Sequence, residues 1–209
     1  STLDSPHRNP TEVRGIVGGC QVEGLKGQAG QELHGFTPGA HGLLFLPHLR
    51  GSGPPTRDAI SKAAFIGIRP YHTRTDFGQA VLEGLSFEFK LAIEALESLV
   101  ARKIERIVAI GGGTKNAVWL QIKANILGTP IEVPASAEAT ALGAALLAGI
   151  GAGIYPDDVT AVARTYKVGK RIEPRPENEA LYRELYEIYR ELYPALLEIN
   201  RRLESISKV

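Results

Sequence analysis

The sequence is poor in several residue types, and each shortage narrows the class of protein it can encode. One cysteine, Cys20, occurs among the 209 residues, so an internal disulfide framework is excluded. Methionine is absent, and the chain opens on STLDSPHRNP, which is neither a recognisable tag nor a targeting sequence. We therefore expect an internal segment of a longer protein or a mature product.

Charge of one sign and long apolar runs are also missing. The 24 basic and 23 acidic side chains leave a formal charge of +1, which does not favour nucleic acid or an anionic membrane as a partner. No segment has the uninterrupted apolar length of a membrane span or a signal peptide. Because 44% of the residues are hydrophobic, the chain can build a packed core, and we expect a folded, cytoplasmic protein.

Strand and helix patterns alternate along the middle of the chain, which predicts an α/β layer architecture. Glycines interrupt a first candidate strand at Gly15 to Val22, and Thr73 or Thr75 is placed to cap the first long helix. Further strands are predicted at Leu43 to Leu46, Ala63 to Ile68, Arg106 to Ile110 and Ile131 to Pro134. Helices are predicted at Thr73 to Lys103, from near Lys115 to Gly128, at Ala139 to Ile150, after Asp157, and at Pro176 to Ser205.

Two of these helices carry further information. The segment Ala139 to Ile150 is almost wholly apolar and rich in small residues, and such a helix must be buried. The last helix carries tyrosines along one side, at positions 182, 186, 189 and 193. We favour a helix docked on the domain surface with its hydroxyls reaching water over a ladder of tyrosines that binds a ligand.

The sharpest local feature is IVAIGGGTKNAVW, in which an apolar strand runs into Gly111, Gly112 and Gly113 and a helix begins near Lys115. Glycines let a ligand approach the backbone, and the first turn of a helix leaves N–H groups unpaired. A nucleotide could lie across this turn, and the Asn116 amide could then pair with a base or ribose. The motif lacks the order G-x-G-x-x-G and the P-loop lysine, so a turn that binds nothing is an equal alternative.

Other candidate sites are better explained by structure. The cluster EATALGAALLAGIGAG, residues 138–153, favours packing, although its start at Ser136 to Thr140 would lie near the glycine turn if both helices begin at one sheet edge. Pro54, Pro55 and Asp58 are typical of a turn. The five histidines show no metal-ligand spacing, and no acid, base or nucleophile motif indicates catalysis.

Four ordered segments resemble the carboxy-terminal domain of the FGGY carbohydrate kinases, whose members include xylulokinase, gluconokinase and glycerol kinase. They are GLLFLPHLRGSGPPTRD, AAFIGIRPYHTRTDFGQAVLEGLSFEFK, IERIVAIGGGTKNAVWLQIKANILGTPIEVP and EATALGAALLAGIGAGIYPD, followed by the tail PENEALYRELYEIYRELYPAL. Together they span Gly42 to Leu196 in the family's order, and they are most similar to the xylulokinase-like branch. Four motifs in order are more specific than any one of them.

The resemblance implies a ribonuclease-H-like, actin-like ATPase fold with a mixed sheet, packed helices and a C-terminal helical tail. The implied division is a nucleotide-binding domain at residues 1–165 and a helical extension at 166–209 packed on it. In the family the glycine turn and the asparagine after it hold adenosine, and a glycine and a glutamine upstream lie near the phosphates and ribose. The corresponding nucleotide-binding residues here are Gly111, Gly112, Gly113, Thr114, Asn116, Gly27 and Gln31.

The resemblance further implies ATP-dependent phosphorylation of a sugar or polyol hydroxyl, with Mg²⁺ held mainly through the ATP phosphates. The family's catalytic base is an aspartate of the amino-terminal half, and neither its motif nor the following Gly-Thr turn is present. We therefore expect this chain alone to be inactive, its partner to be the N-terminal kinase domain of the same protein, and its exposed apolar surface to favour a homodimer. A non-catalytic actin-like module that binds nucleotide or protein is the alternative, whereas a dinucleotide-binding oxidoreductase domain is excluded by the glycine order.

Overall fold

The computed structural model describes residues 36–136 and 139–207, together with two short backbone segments at 16–17 and 20–21. These ranges include only part of the glycine-interrupted strand predicted at Gly15 to Val22. Gly27 and Gln31, predicted as nucleotide-binding residues, lie outside them. The strands are β1 (Ile16–Val17), β2 (Cys20–Gln21), β3 (Leu44–Leu46), β4 (Ala64–Ile66), β5 (Ile107–Val108), β6 (Ile131–Pro134) and β7 (Val168–Ile172). The helices are α1 (Arg74–Val100), α2 (Ala117–Leu127), α3 (Ala139–Gly151), α4 (Asp158–Thr165) and α5 (Glu179–Ser207).

The strands form two antiparallel pairs and one mixed sheet. Strand β1 pairs with β2, so the single strand predicted at Gly15 to Val22 is instead two short strands, and β3 pairs with β4. The mixed sheet has the order β5-β6-β7, with β5 parallel and β7 antiparallel to β6. The expected mixed sheet is therefore confirmed, and its third strand, β7, is an addition that the sequence patterns did not predict.

Local signals determine where the first two helices begin and end. Of the two threonines considered as caps, Thr73 is the one used: its backbone N–H and its hydroxyl both donate to Oδ2 of Asp76 at 2.7 Å. Helix α2 ends at Gly128, whose φ of 64° is left-handed and whose N–H donates to the Ala124 carbonyl at 2.9 Å.

The main core lies between helices α1, α2 and α5 and strand β3. Phe87 of α1 is 0% exposed, and the rings of Tyr182, Tyr186 and Tyr189 surround it with centroid distances of 5.0 to 6.4 Å. Its buried members are Leu44, Leu46, Leu82, Phe87, Ile122, Ile126, Tyr182, Leu185, Tyr186, Tyr189 and Leu192. Aromatic rings at these distances stabilise the core beyond the area that they bury.

The prediction that the tyrosine hydroxyls of α5 reach water is wrong for Tyr182, Tyr186 and Tyr189, which are 2%, 3% and 1% exposed. The hydroxyls donate instead to carboxylates at 2.7 to 2.9 Å, in the pairs Tyr182 with Glu83, Tyr186 with Glu94, Tyr189 with Glu88, and Tyr193 with Asp58. The reason is that α5 packs along the glutamate-bearing face of α1, which brings acceptors to three of the rings, while Asp58 of the loop before β4 accepts from Tyr193. The stripe is a structural interface between two helices.

Glu83 is the most buried of these carboxylates, with 1% of the residue exposed. One of its oxygens, Oε1, accepts from the Gly39 N–H at 2.8 Å, the Gln79 amide at 2.6 Å and the Tyr182 hydroxyl at 2.8 Å. Burial raises the pKa of Glu83 above its ordinary value even though these three donors oppose the shift.

The prediction that the apolar helix α3 is buried is wrong for the described residues. Leu147 is 71% exposed, and most of the alanines of this helix are exposed as well. The reason is a shortage of neighbours, because α4 is the main described element that packs against α3. Within the described ranges, no helix combines the length and the apolarity needed to cross a bilayer.

Replacement of Glu83 by glutamine should change how stability depends on pH. The pKa of Glu83 is raised above 4.5, so the stability that this group contributes is fully present below pH 4.5 and is lost as pH rises through its folded-state pKa. Glutamine mimics the neutral acid and does not ionise. In thermal unfolding, the Tm of Glu83→Gln minus that of wild type should therefore increase as pH rises from 4.5 and then level off.

A matched variant on the same helix, Glu97→Gln, should show the opposite trend. The Ile104 N–H and then the Lys103 ammonium lower the pKa of Glu97, so its contribution is present above pH 4.5 and is lost on acidification. The deficit of this variant should shrink toward acid pH. A Glu83→Gln curve that runs parallel to wild type from pH 4.5 to neutrality would contradict the account of Glu83.

Candidate functional site

The glycine turn singled out by its sequence connects β5 to α2. Gly111 has φ 85° and ψ −172°, a region of backbone space that is open almost only to glycine. Gly112–Lys115 then form one turn of 3₁₀ helix. Asn116 has an extended backbone conformation, so α2 begins after it, at Ala117, slightly later than the sequence predicts.

Two of the three glycines are required by the described structure, each for a different reason. Gly111 is needed for its conformation, whereas a Cβ on Gly113 would lie 3.0 Å from Cζ3 of Trp119. At Gly112 a Cβ would meet no described atom within 4 Å, and the residue is not in the left-handed region. Gly112 is therefore the glycine of the turn whose missing side chain is explained neither by its backbone conformation nor by a described neighbour.

The backbone of the turn presents two N–H donors that have no acceptor among the described residues. The first hydrogen bond within it runs from the Thr114 N–H to the Gly111 carbonyl at 3.1 Å, so the N–H groups of Gly112 and Gly113 precede it. The Thr114 hydroxyl donates to the same carbonyl at 2.7 Å. Thr114 thus closes the turn with both of its donors, and the two glycine N–H groups precede the start of α2, where negative charge is favoured.

Asn116 is the N-cap of α2. Its Oδ1 accepts the Trp119 N–H at 3.0 Å, which satisfies one of the free donors at the helix start. Its amide nitrogen donates to no described acceptor, and the residue is only partly buried. Asn116 therefore combines a structural role through its oxygen with a donor that is available to a ligand.

The parallel pairing of β5 with β6 brings the glycine turn and the start of α3 to the same edge of the sheet. Ile107 is opposite Ile131 and Val108 is opposite Glu132, so both strands point in one direction and their carboxyl ends lie together. The segment that follows β6 leads to α3, whose first residue is Ala139. The sequence predicts the start of α3 near the glycine turn only if both helices begin at one edge of the sheet. The parallel pairing of β5 and β6 satisfies that condition.

Sequence reasoning missed Trp119, the single tryptophan of the chain. Its indole N–H donates to Oγ of Ser86 on α1 at 3.1 Å, and the Lys123 ammonium lies 3.4 Å from its ring centroid. The ring also lies against Gly113. The spacing of Trp119 three residues after the N-cap was the available signal, because that position on a helix turns back toward its first turn.

A Ser–His–Glu arrangement occurs elsewhere in the fold, but it is not an active site. Nδ1 of His48 is 2.6 Å from Oγ of Ser61, and Nε2 of His48 is 3.2 Å from Oε1 of Glu88. His48 and Ser61 are 4% and 3% exposed, so no substrate can reach the serine hydroxyl. The arrangement satisfies buried polar groups in the core.

The loop containing Pro54, Pro55 and Asp58 has the turn chemistry that was predicted. Asp58 accepts the Ile60 N–H at 2.9 Å and the Tyr193 hydroxyl at 2.9 Å, and its own N–H donates to the Ser52 hydroxyl. Among the described residues, no group of three or more His, Cys, Asp and Glu side chains is arranged to hold a metal ion.

The strongest charged cluster stabilises the mixed sheet. Glu132 of β6 accepts from Arg106 at 2.9 Å, from Arg171 at 3.1 Å and from the Tyr166 hydroxyl at 3.0 Å. Although burial alone raises the pKa of Glu132, these donors hold it below its ordinary value. The cluster holds β5, β6 and β7 together. None of its charged groups belongs to the glycine turn.

Comparison with known proteins identifies the family. The model of the C-terminal domain of the FGGY family of carbohydrate kinases matches residues 24–152, which is more than half of the chain. This match includes the glycine turn, α1, α2 and the whole of α3. The chain belongs to the FGGY family of carbohydrate kinases.

Individual relatives agree with this assignment. The xylulose kinase of Staphylococcus epidermidis is 35% identical over 169 residues, which cover 81% of this chain and 34% of that protein. The ligand-bound xylulose kinase of Lactobacillus acidophilus superposes with a TM-score of 0.71 at 28% identity, covering 80% of this chain and 34% of that one. The glycerol kinase of Plasmodium falciparum with ADP has a TM-score of 0.62 at 25% identity, covering 73% and 31%. The chain thus spans about a third of the length of these relatives.

Substitutions at the first two glycines of the turn should have different effects on stability. Gly111→Ala places a Cβ in a conformation open almost only to glycine and should cost about 1–3 kcal/mol. Gly112→Ala meets no described atom, so its free energy of unfolding should match wild type within about 0.5 kcal/mol. Urea unfolding of both variants measures the difference, and an equal loss at the two positions would contradict the separate reasons given for them.

Proposed function

We propose that this chain is the nucleotide-binding part of an ATP-dependent kinase that phosphorylates a sugar or polyol hydroxyl. The observation that carries the proposal is the open turn at Gly112, where neither conformation nor a described neighbour requires a glycine. A ligand lying across the backbone explains why a side chain is excluded there. Membership of a carbohydrate kinase family makes ATP the nucleotide of choice.

The residues of the turn take different roles toward adenosine in this proposal. The N–H groups of Gly112 and Gly113 are the free backbone donors, and Asn116 offers its amide nitrogen to an acceptor on the base or ribose. Gly111 and Thr114 act on the shape of the turn, since one supplies the conformation and the other closes it. Gly27 and Gln31 stay predictions for the phosphates and ribose.

The fold proposed for the nucleotide-binding part is the ribonuclease-H-like, actin-like ATPase fold, covering residues 1–165. The parallel β5-α2-β6 unit and the similarity to FGGY kinases support it. The expected extension at residues 166–209 is helical only after its first strand, because β7 pairs with β6 in the mixed sheet. The extension is tightly packed on the rest, because Tyr182 and Tyr189 of α5 are 2% and 1% exposed in the main core. We expect the two parts to unfold together.

The catalytic step requires groups that we assign to the amino-terminal half of the same protein. Phosphoryl transfer needs positioning, a base for the attacking hydroxyl and a Mg²⁺ ion at the phosphates. We propose that the base is an aspartate of that half and that Mg²⁺ is held mainly through ATP, consistent with the lack of a metal-ligand cluster among the described residues. The apolar helix α3 is exposed, with Leu147 71% exposed, and this supports the proposal that another part of the protein packs against it. The same exposed surface favours self-association of the isolated chain.

Two substitutions that leave the fold intact should weaken ADP binding. Gly112→Ala fills the open space, and Asn116→Ser keeps an N-cap oxygen but removes the amide donor. Each should raise the Kd for ADP roughly tenfold, equivalent to about 1.4 kcal/mol, in calorimetry on the 209-residue chain.

Val159→Ala, at a position of α4 that is 74% exposed, is the control and should leave ADP affinity unchanged, since α4 packs mainly against α3. Unaltered affinity in both site variants, with wild-type binding intact, would contradict the adenosine assignment.

The 209-residue chain alone should not consume ATP in the presence of a sugar, because the proposed base belongs to the other half. A coupled assay of ADP release with xylulose, gluconate and glycerol should give the buffer rate. Turnover that depends on one of these compounds would show that a base lies in this chain. In the full-length protein the same assay should show turnover, and its failure with ADP binding retained would favour a non-catalytic nucleotide-binding module.

A further inference from the structure

The indole of Trp119 is held by contacts from three parts of the chain. A Cβ on Gly113 would lie 3.0 Å from its Cζ3, so the ring is in direct contact with the glycine turn. Its N–H donates to Ser86 of α1 at 3.1 Å, and the Lys123 ammonium lies over the ring at 3.4 Å from the centroid. The proposed roles of Gly112 and Asn116 toward adenosine make no use of this side chain.

We propose that Trp119 is a positioning residue of the nucleotide site, which sets the distance of the glycine turn from α1 and so aims the turn's N–H groups at the nucleotide. This inference rests on the proposed function, since it concerns the same site. The ring of Trp119 contacts the turn at Gly113. Its backbone N–H donates to Oδ1 of Asn116 at 3.0 Å. One residue is therefore linked both to Gly113 and to Asn116 in the segment that would hold adenosine.

Ser86 makes the anchor rigid. It is 0% exposed, and its hydroxyl donates to the Leu82 carbonyl at 2.7 Å, which leaves a lone pair of the oxygen to accept the indole N–H. The hydroxyl orientation is thus determined by α1 itself. The hydrogen bond from the Trp119 indole to Ser86 therefore fixes the position of the turn relative to α1, the helix on which the core is built.

Lys123 restrains the ring from its face. Burial lowers the pKa of Lys123, and no carboxylate among the described residues lies within ion-pair distance of its ammonium. A partly desolvated cation at 3.4 Å from an indole centroid is stabilised by the ring and in turn disfavours other ring orientations. Glycine at position 113 then allows the backbone to contact the ring, whose position is restrained by Ser86 and Lys123.

The test uses calorimetric ADP affinity in the 209-residue chain, with the fluorescence of its single tryptophan as a second readout. ADP should change the emission of wild type, because the ring lies directly beneath the turn. Trp119→Leu should weaken ADP binding about tenfold. Trp119→Phe, which keeps a ring but loses the N–H, and Ser86→Ala should each weaken it two- to threefold, and combining these two should give no further loss.

A second cycle separates positioning from general stability. Gly113→Ala should weaken ADP binding several-fold beside Trp119, where the new Cβ meets the ring, and should have no further effect in the Trp119→Leu background. Leu192→Ala empties part of the core on α5, away from the turn, and should lower Tm without changing ADP affinity.

The outcomes distinguish this inference from the proposed function. If wild type binds ADP but Trp119→Leu, Trp119→Phe and Ser86→Ala bind it equally well, the positioning role is overturned while the site stands. Independent losses from Gly113→Ala and Trp119→Leu would also overturn it, since the two residues would then act separately. A wild-type chain that shows neither calorimetric nor fluorescence response to ADP would overturn the nucleotide site itself and the role built on it.

Discussion

The buried carboxylate of Glu83 is the interaction on which the packing of α1 depends. It receives hydrogen bonds from the Gly39 N–H ahead of β3, from Gln79 on its own helix and from Tyr182 on α5. An acceptor buried this deeply is costly unless its donors are in place, so the three segments have to come together in one arrangement. The register of α5 along α1 is thus set by hydroxyl-to-carboxylate pairs as well as by the packing of rings around Phe87.

Helix α2 depends on that arrangement and serves two purposes along its length. Its middle contributes Ile122 and Ile126 to the main core, while its first turn carries Asn116 and Trp119 at the glycine turn. Because the indole is tied to Ser86, the geometry of the turn follows the position of α1. The candidate site is therefore an extension of the core, and side chains there combine structural roles with the binding roles proposed for them.

The exposed surface of α3 is consistent with a chain that spans about a third of its relatives. An apolar helix with one main described neighbour is stable in a larger assembly that covers it, and phosphoryl transfer requires groups on both sides of the phosphates. The described residues form the side that would bind nucleotide. In the proposed function, sugar specificity belongs to the part of the protein that faces this side across the nucleotide.

The sequence by itself determined the local features. The glycine turn, the helix end at Gly128 and most strands follow from signals between residues close in the chain, and the ordered motifs indicated the family. For the cap of α1 the sequence left Thr73 and Thr75 open, and the structure uses Thr73. Only the tertiary structure decided that Tyr182 reaches Glu83, 99 residues away, and that Gly113 rests on a tryptophan. It also decided that α3 is exposed. These outcomes depend on which elements meet in space, and apolar periodicity specifies a face to be covered without specifying its neighbour.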